Sequence, residues 1–409
     1  MDLAATTLLI VISFCAIMID FNNIYGDYGI NENYLTLPTL ILFCAQWTFV
    51  IYLLHVVSQL PLQQHSPEKS KLLYTLSLLL IFSSCIMMLM SASDIKEALI
   101  MDMADVRNQH YEDLSGKAAG RANYLMLIPN ILTSQPFPTL ALFLWFYLKT
   151  FTRCNIIIRA GILVASIVQA VIAIIMAGRA AIVYWIFDFF LLYSYFYQYL
   201  SKGLKRKITL VASSFLILAG SLFTAITIAR FDGTEYNRDP FESLYGYAGQ
   251  HVNNFCTMFV NGSNTPMLTE RIFPLTSKIM KHPYDMVEHY NRLSSHTSHN
   301  ILVNVFDTFG GEIFLDLGWF GYIFFFMLLF LFTIYIRSRW TEIRFDRVFI
   351  LVIIIAFFCR GLFAWPFTHH YSTLALMTTA ICHLLFKYRF VIYRDDTTNQ
   401  PEDISNQST

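Results

Sequence analysis

The chain reads as an all-α, polytopic integral membrane protein with about ten transmembrane helices and one large loop outside the membrane. Three observations predict this. Hydrophobic residues make up 56% of the 409 positions and charged residues only 14%, where a soluble domain has about half and about a quarter. Apolar runs of bilayer length recur along the chain. Lysine and arginine gather in alternate short loops.

Residues 3–19 follow no basic n-region and hold no A-x-A cleavage site, so they read as a retained first span and not a signal peptide. Runs at 35–58 and 72–92 come next. The run at 124–148 is interrupted by Pro129, Pro136 and Pro138, which remove backbone donors, so a break or kink is expected there. Runs at 156–177 and 180–200 are separated by the tight Ala177-Gly178-Arg179-Ala180 turn, and 208–229 ends at Arg230. The last three runs are 318–336, 348–365 and 371–386. Residues 1–394 form one membrane domain, which includes the large loop at 230–311; residues 395–409 read as a disordered polar tail.

Orientation follows from the cations. Lys69/Lys71, Lys149/Arg153, Lys202/Lys205/Arg206/Lys207, Arg337/Arg339/Arg344/Arg347 and Lys387/Arg389/Arg394 all fall on one side of a ten-span arrangement. The loops at 20–32, which lacks Lys and Arg, at 93–123 and at 230–311 fall on the other. Both termini are therefore expected in the cytoplasm and the large loop outside. The net charge of +0 leaves no global basic field to attract nucleic acid. Of seven cysteines, Cys256 alone lies in the large loop, so no disulfide framework is expected. Neither an internal repeat nor a matched pair of broken helices, as in inverted-repeat transporters, is apparent.

Within the loop, residues 231–289 mix turn formers (Asp232-Gly233, Asp239-Pro240, Asn261-Gly262) with Tyr236, Phe241, Tyr245, Tyr247, Phe255 and Tyr284. Such rings beside polar groups suit sugars, and equally suit a small loop core or an interfacial belt. From His299 to Phe309 the spacing is helical: Ile301, Leu302, Val305, Phe306 and Phe309 share one face, and His299, Asn300, Asn304 and Asp307 the other. An interfacial helix leading into the eighth span is expected.

Three arginines carry the sharpest chemical signal. Arg179 lies in the tight turn, Arg230 closes the seventh span, and Arg360 sits about two helical turns below Pro366 in the ninth. Arginine is costly in hydrocarbon and faces a cavity or a counter-ion, and its planar fork matches phosphate oxygens. Headgroup snorkelling is the plainer reading for Arg179 and Arg230, and an ion pair with Asp188 for Arg360. Arg238 and Arg292 in the loop are further candidates for binding anionic groups. His299 is suited to accept a hydroxyl proton near neutrality. His296 and His299 lack a third ligand at recognisable spacing, so neither metal nor cofactor is expected. No nucleotide-binding or nucleophile-elbow motif occurs, and Glu312 and the loop acids give no catalytic pair by spacing.

The order of these features resembles the O-antigen polymerase and O-antigen ligase families of the bacterial inner membrane. The resemblance rests on Gly178-Arg179, Arg230, His299-Asn300-x-Leu302, Gly310-Gly311-Glu312 and Leu317-Gly318-Trp319-Phe320-Gly321, across residues 156–386. It implies a GT-C-like, metal-independent glycosyltransferase that polymerises undecaprenyl-pyrophosphate-linked repeat units on the periplasmic face. The lipid bilayer and a chain-length regulator would be its partners. By position it implies pyrophosphate binding by Arg179, Arg230 and Arg360 and acceptor activation by His299. Ligases of this kind carry an arginine a few residues before the histidine; here Arg292 is seven residues away, which favours polymerase over ligase. A non-enzymatic flippase or transporter of lipid-linked oligosaccharides is the alternative from another class.

Overall fold

Each of the ten apolar runs carries helix in the computed structural model, which describes residues 1–21, 35–63, 67–92, 95–96, 126–152, 154–175, 180–231, 240–261, 272, 308–367 and 370–398. In chain order the helices are α1 (Asp2–Phe21), α2 (Leu37–Ser58), α3 (Pro67–Met90), α4 (Leu127–Thr133), α5 (Phe137–Phe151), α6 (Ile156–Ile175) and α7 (Ala180–Phe196). They continue with α8 (Lys202–Phe231), α9 (Pro240–Asn261), α10 (Thr308–Arg339), α11 (Phe345–Gly361) and α12 (His370–Thr398). Among the described residues the only β feature is an isolated bridge between Leu62 and Ile343. Five helices are long and apolar enough to cross a bilayer, and the bent pair α4–α5 makes a sixth. The chain is therefore an all-α, membrane-embedded protein. The expected break in the fourth run is present, since α4 and α5 meet at 61° around the prolines.

Loops that carry or adjoin the basic clusters converge at one end of the bundle. Gln63 N–H donates to the Ile343 carbonyl at 3.0 Å and Ile343 N–H to the Pro61 carbonyl at 2.8 Å. Leu62 N–H donates to the Tyr199 hydroxyl at 2.9 Å, and Arg337 donates to the Tyr52 hydroxyl at 2.6 Å. The segments before Lys202 and around Arg337 and Arg344 thus share one end of the bundle.

The last helix runs on through residues 395–398, read from the sequence as the start of a disordered tail, and two further departures from the sequence reading shape the interior. Residues 240–261, read as loop, are a helix that packs against α1, α2 and α10, with every residue from His251 to Met258 buried. Turn formers that suggested a loop border this helix: Pro240 fills its first position, where a missing N–H costs nothing, and Asn261 is its last residue. Gly249 admits the α1 backbone at Ala16, an approach that a Cβ would block.

The second departure is a reversal inside α10. At Gly318 the backbone adopts φ 66°, ψ −168°, a region open essentially to glycine alone. The eighth apolar run begins at this reversal, but residues 308–317 form a separate helical segment, buried from Thr308 to Asp316 and not interfacial. This segment folds back along residues 319–339: Phe309 lies 6.1 Å from Phe325 and 5.7 Å from Phe326, between ring centroids. Phe314 meets Trp319 at 5.2 Å across the corner, and Phe259 of α9 fills it, 4.4 Å from Phe314 and 5.1 Å from Tyr322. The rest of the expected helix at 299–309 lies outside the described residues.

Away from this corner the core centres on Trp47, whose ring meets Phe43, Phe309 and Phe358 at 5.2 to 6.2 Å. In lipid, such packing between helices supplies the association energy that the hydrophobic effect supplies in water. By contrast α8 leaves Leu210, Val211 and Ile217 exposed and joins the bundle through α9.

A Cβ at Gly318 meets no steric obstacle but forces a disfavoured backbone. Gly318→Ala is expected to cost about 1–3 kcal/mol and to lower the thermal midpoint of the detergent-purified protein. Gly203→Ala, where a Cβ also meets open space and φ is ordinary, serves as the control and leaves the midpoint in place.

Candidate functional site

Phe363, just past the end of α11, joins the elements that hold the chemically distinctive side chains. Its N–H donates to the Arg360 carbonyl at 2.9 Å, and its own carbonyl accepts the Thr308 N–H at 2.9 Å, tying the end of α11 to the start of α10. Its ring packs against Tyr184 at 5.3 Å, Phe187 at 6.2 Å and His251 at 4.9 Å. Helices α7, α9, α10 and α11 therefore meet here.

Arg360 occupies the last turn of α11, half-buried among apolar helices. Its guanidinium carbon lies 4.9 Å from the Tyr184 ring centroid, and its Nε is enclosed without a hydrogen-bond partner among the described residues. A cation over an aromatic face is stabilised, and the Nε–H is left for another group. Asp188, one turn along α7 from Tyr184, is close enough to interact electrostatically with Arg360, yet the two form no direct ion pair. Asp188 is instead held by the Thr139 hydroxyl, which donates to Oδ2 at 2.7 Å. The same hydroxyl oxygen also lies 2.9 Å from the Gln135 side-chain oxygen, and the carboxylate, the stronger acceptor, holds the shorter contact.

The start of α10 enters this junction from the opposite side. Thr308 has φ 64°, and its hydroxyl caps the Gly311 N–H at 3.4 Å. Gly310 has no side chain to hold off α2, so the Gln46 amide rests directly against it. Gln46 is 1% exposed and His251 0%, and among the described residues neither the Gln46 amide nor either His251 ring nitrogen has a hydrogen-bond partner. Further along the segment, Asp316 accepts the Ile272 N–H at 2.9 Å, and the Ile272 carbonyl accepts Trp365 Nε1–H at 3.0 Å. Ile272, from the middle of the large loop, is thus clamped between α10 and the chain after α11.

Of the residues singled out in the sequence, Arg360 has its side chain described and stands at this junction. Arg230 is the penultimate residue of α8 and is described by its backbone alone. Arg179, Arg238, Arg292 and His299 lie outside the described residues. Gln46, Tyr184 and His251 were missed. Gln46 carried a usable signal, an amide in the middle of an apolar run, where polar groups are costly and tend to be functional. His251 carried none without the knowledge that its segment is a buried helix. Among the described residues no group of three or more His, Cys, Asp or Glu is arranged to hold a metal. Comparison with known proteins found no matching family model, no matching curated protein and no matching solved structure.

The Thr139–Asp188 bond anchors α5 to α7 beside Arg360. Thr139→Val leaves a buried carboxylate without that donor, at an expected cost of about 1–3 kcal/mol, read as a lower thermal midpoint. Thr48→Val, which removes only an exposed hydroxyl bonded within its own helix, should change it little.

Proposed function

We propose that the protein is a metal-independent glycosyltransferase that polymerises lipid-diphosphate-linked oligosaccharide repeat units into a surface polysaccharide at the periplasmic face of the bacterial inner membrane. The observation that carries this reading is Arg360: an intramembrane guanidinium, laid over Tyr184, with an enclosed Nε that has no partner and no direct ion pair to Asp188. A cation kept in that setting suits an oxyanion delivered through the bilayer, as a lipid-linked diphosphate is. The order of motifs from Gly178-Arg179 to Gly321 supports the same reading, with ten spans, cytoplasmic termini and Arg179 and Arg230 completing the diphosphate site.

In this scheme a hydroxyl of the acceptor sugar attacks the anomeric carbon of the donor. The new C–O bond forms as the bond to the diphosphate oxygen breaks, and the bonding electrons leave with the lipid diphosphate. The hydroxyl proton passes to His299. Guanidiniums fixed in a site shielded from water stabilise the charge growing on the leaving group, and holding both chains beside the same helices supplies proximity.

A second reading draws on the reversal at Gly318 and the bend between α4 and α5, because transporters also build substrate sites from discontinuous helices. A flippase would move intact lipid-linked repeats across sealed vesicles without forming a glycosidic bond.

Loss of the protein is expected to replace the glycan ladder on gels by a single-repeat band or short material. A ladder unchanged by deletion contradicts the proposal, and long polymer left on the lipid carrier identifies a ligase instead. Restoring the gene as Arg360→Ala should leave the protein in the membrane without chain growth. Arg360→Lys should rescue poorly, since a point charge does not replace the bidentate fork.

A further inference from the structure

We propose that Gln46 and His251, flanking the first turn of α10, bind hydroxyl groups of the acceptor glycan. This rests on the polymerase reading and extends it to the second substrate.

Both side chains are fully enclosed, and both polar ends of each lack a partner. Buried polar groups in native proteins are nearly always satisfied, so two unsatisfied ones at a single helix start point to a ligand that meets them. The Gln46 amide rests against Gly310, and the His251 ring packs on Phe363, whose carbonyl is bonded to the Thr308 N–H. The two side chains therefore bracket residues 308–310. That turn belongs to a segment buried inside the bundle from Thr308 to Asp316.

The chemistry of the pair selects the ligand class. Gln46 offers an amide donor and an amide acceptor, and a neutral imidazole offers one of each. A phosphate would use the donors alone and set its negative charge against the amide oxygen and one ring nitrogen. A sugar hydroxyl both donates and accepts, and so satisfies both ends. Aromatic rings border the pair: the Tyr322 ring reaches the Gly310 position, and Phe363 lies against His251. Phe363 also contacts Tyr184, which carries the Arg360 guanidinium, so His251 is linked to the proposed diphosphate site through two rings, Phe363 and Tyr184.

The test uses the full-length protein in nanodiscs and the repeat-unit oligosaccharide released by mild acid from the lipid carrier of a strain lacking the protein. Binding of this free oligosaccharide is followed by calorimetry. Gln46→Leu and His251→Phe are each expected to raise its dissociation constant at least about tenfold, the loss of roughly one hydrogen-bonded group. In the transfer assay the same changes raise KM for the acceptor more than they lower kcat. His251→Gln, which keeps one donor and one acceptor, should restore much of the binding and guards against misfolding of the phenylalanine variant. Arg360→Met should leave binding of the free oligosaccharide intact. Wild-type binding by both Gln46→Leu and His251→Phe overturns the inference and leaves the two side chains holding water alone. Competition by inorganic pyrophosphate that depends on Gln46 and His251 overturns it in favour of an anion site. If deletion leaves the ladder unchanged, the polymerase reading fails instead, and the oligosaccharide titration still reads this site separately.

Discussion

The reversal of α10 at Gly318 is the constraint on which the interior depends. A continuous helix through residues 308–339 would carry Phe309 far from Phe326; with the reversal the two rings are 5.7 Å apart. Thr308 thereby meets Phe363, Gly310 meets Gln46, and the α9 ring of Phe259 finds a corner to fill. Only glycine holds φ 66°, ψ −168° at little cost, so one residue without a side chain decides whether the start of α10 lies inside the bundle or away from it.

What the reversal brings together is expensive to keep. Arg360, Asp188, Gln46, His251 and Asp316 lie among helices whose other side chains are apolar, and a buried polar group that lacks a partner loses its hydration with no return. Some of that cost is met locally: Asp188 has Thr139, Asp316 has the Ile272 amide, and Arg360 has the face of Tyr184. Gln46 and His251 have nothing comparable. A bundle needing only stability would carry apolar residues at those two positions. The uneven distribution, with some polar groups matched and others open around one ring, is what a binding site looks like before its ligand arrives.

Much of the scaffold was legible in the sequence because membrane helices announce themselves by uninterrupted apolar length. All ten runs carry helix, and the prolines at 129, 136 and 138 marked a real bend. Arg360 was legible for the same reason, as a charge inside an apolar run. Helix α9 was not, because its Gly, Asn and His content dilutes the apolar signal and its flanking turn formers, which bound a helix, also describe a loop. The buried start of α10 was half legible: Gly310-Gly311 and Gly318 stood out, but periodicity alone does not say whether a helical face meets lipid headgroups or protein. Gln46 and His251 acquire their meaning from partners they lack, which is a property of the fold and not of either residue.

The geometry of the reversal is the most direct point to test. Phe309 and Phe326 are seventeen positions apart, about 25 Å along an unbroken helix at a rise of about 1.5 Å per residue. With the native cysteines replaced and cysteines placed at 309 and 326, mild oxidation in membranes should join the pair in high yield. A spin-label distance near 25 Å with no cross-link would show a straight α10 and would remove the arrangement around Phe363 on which the account stands.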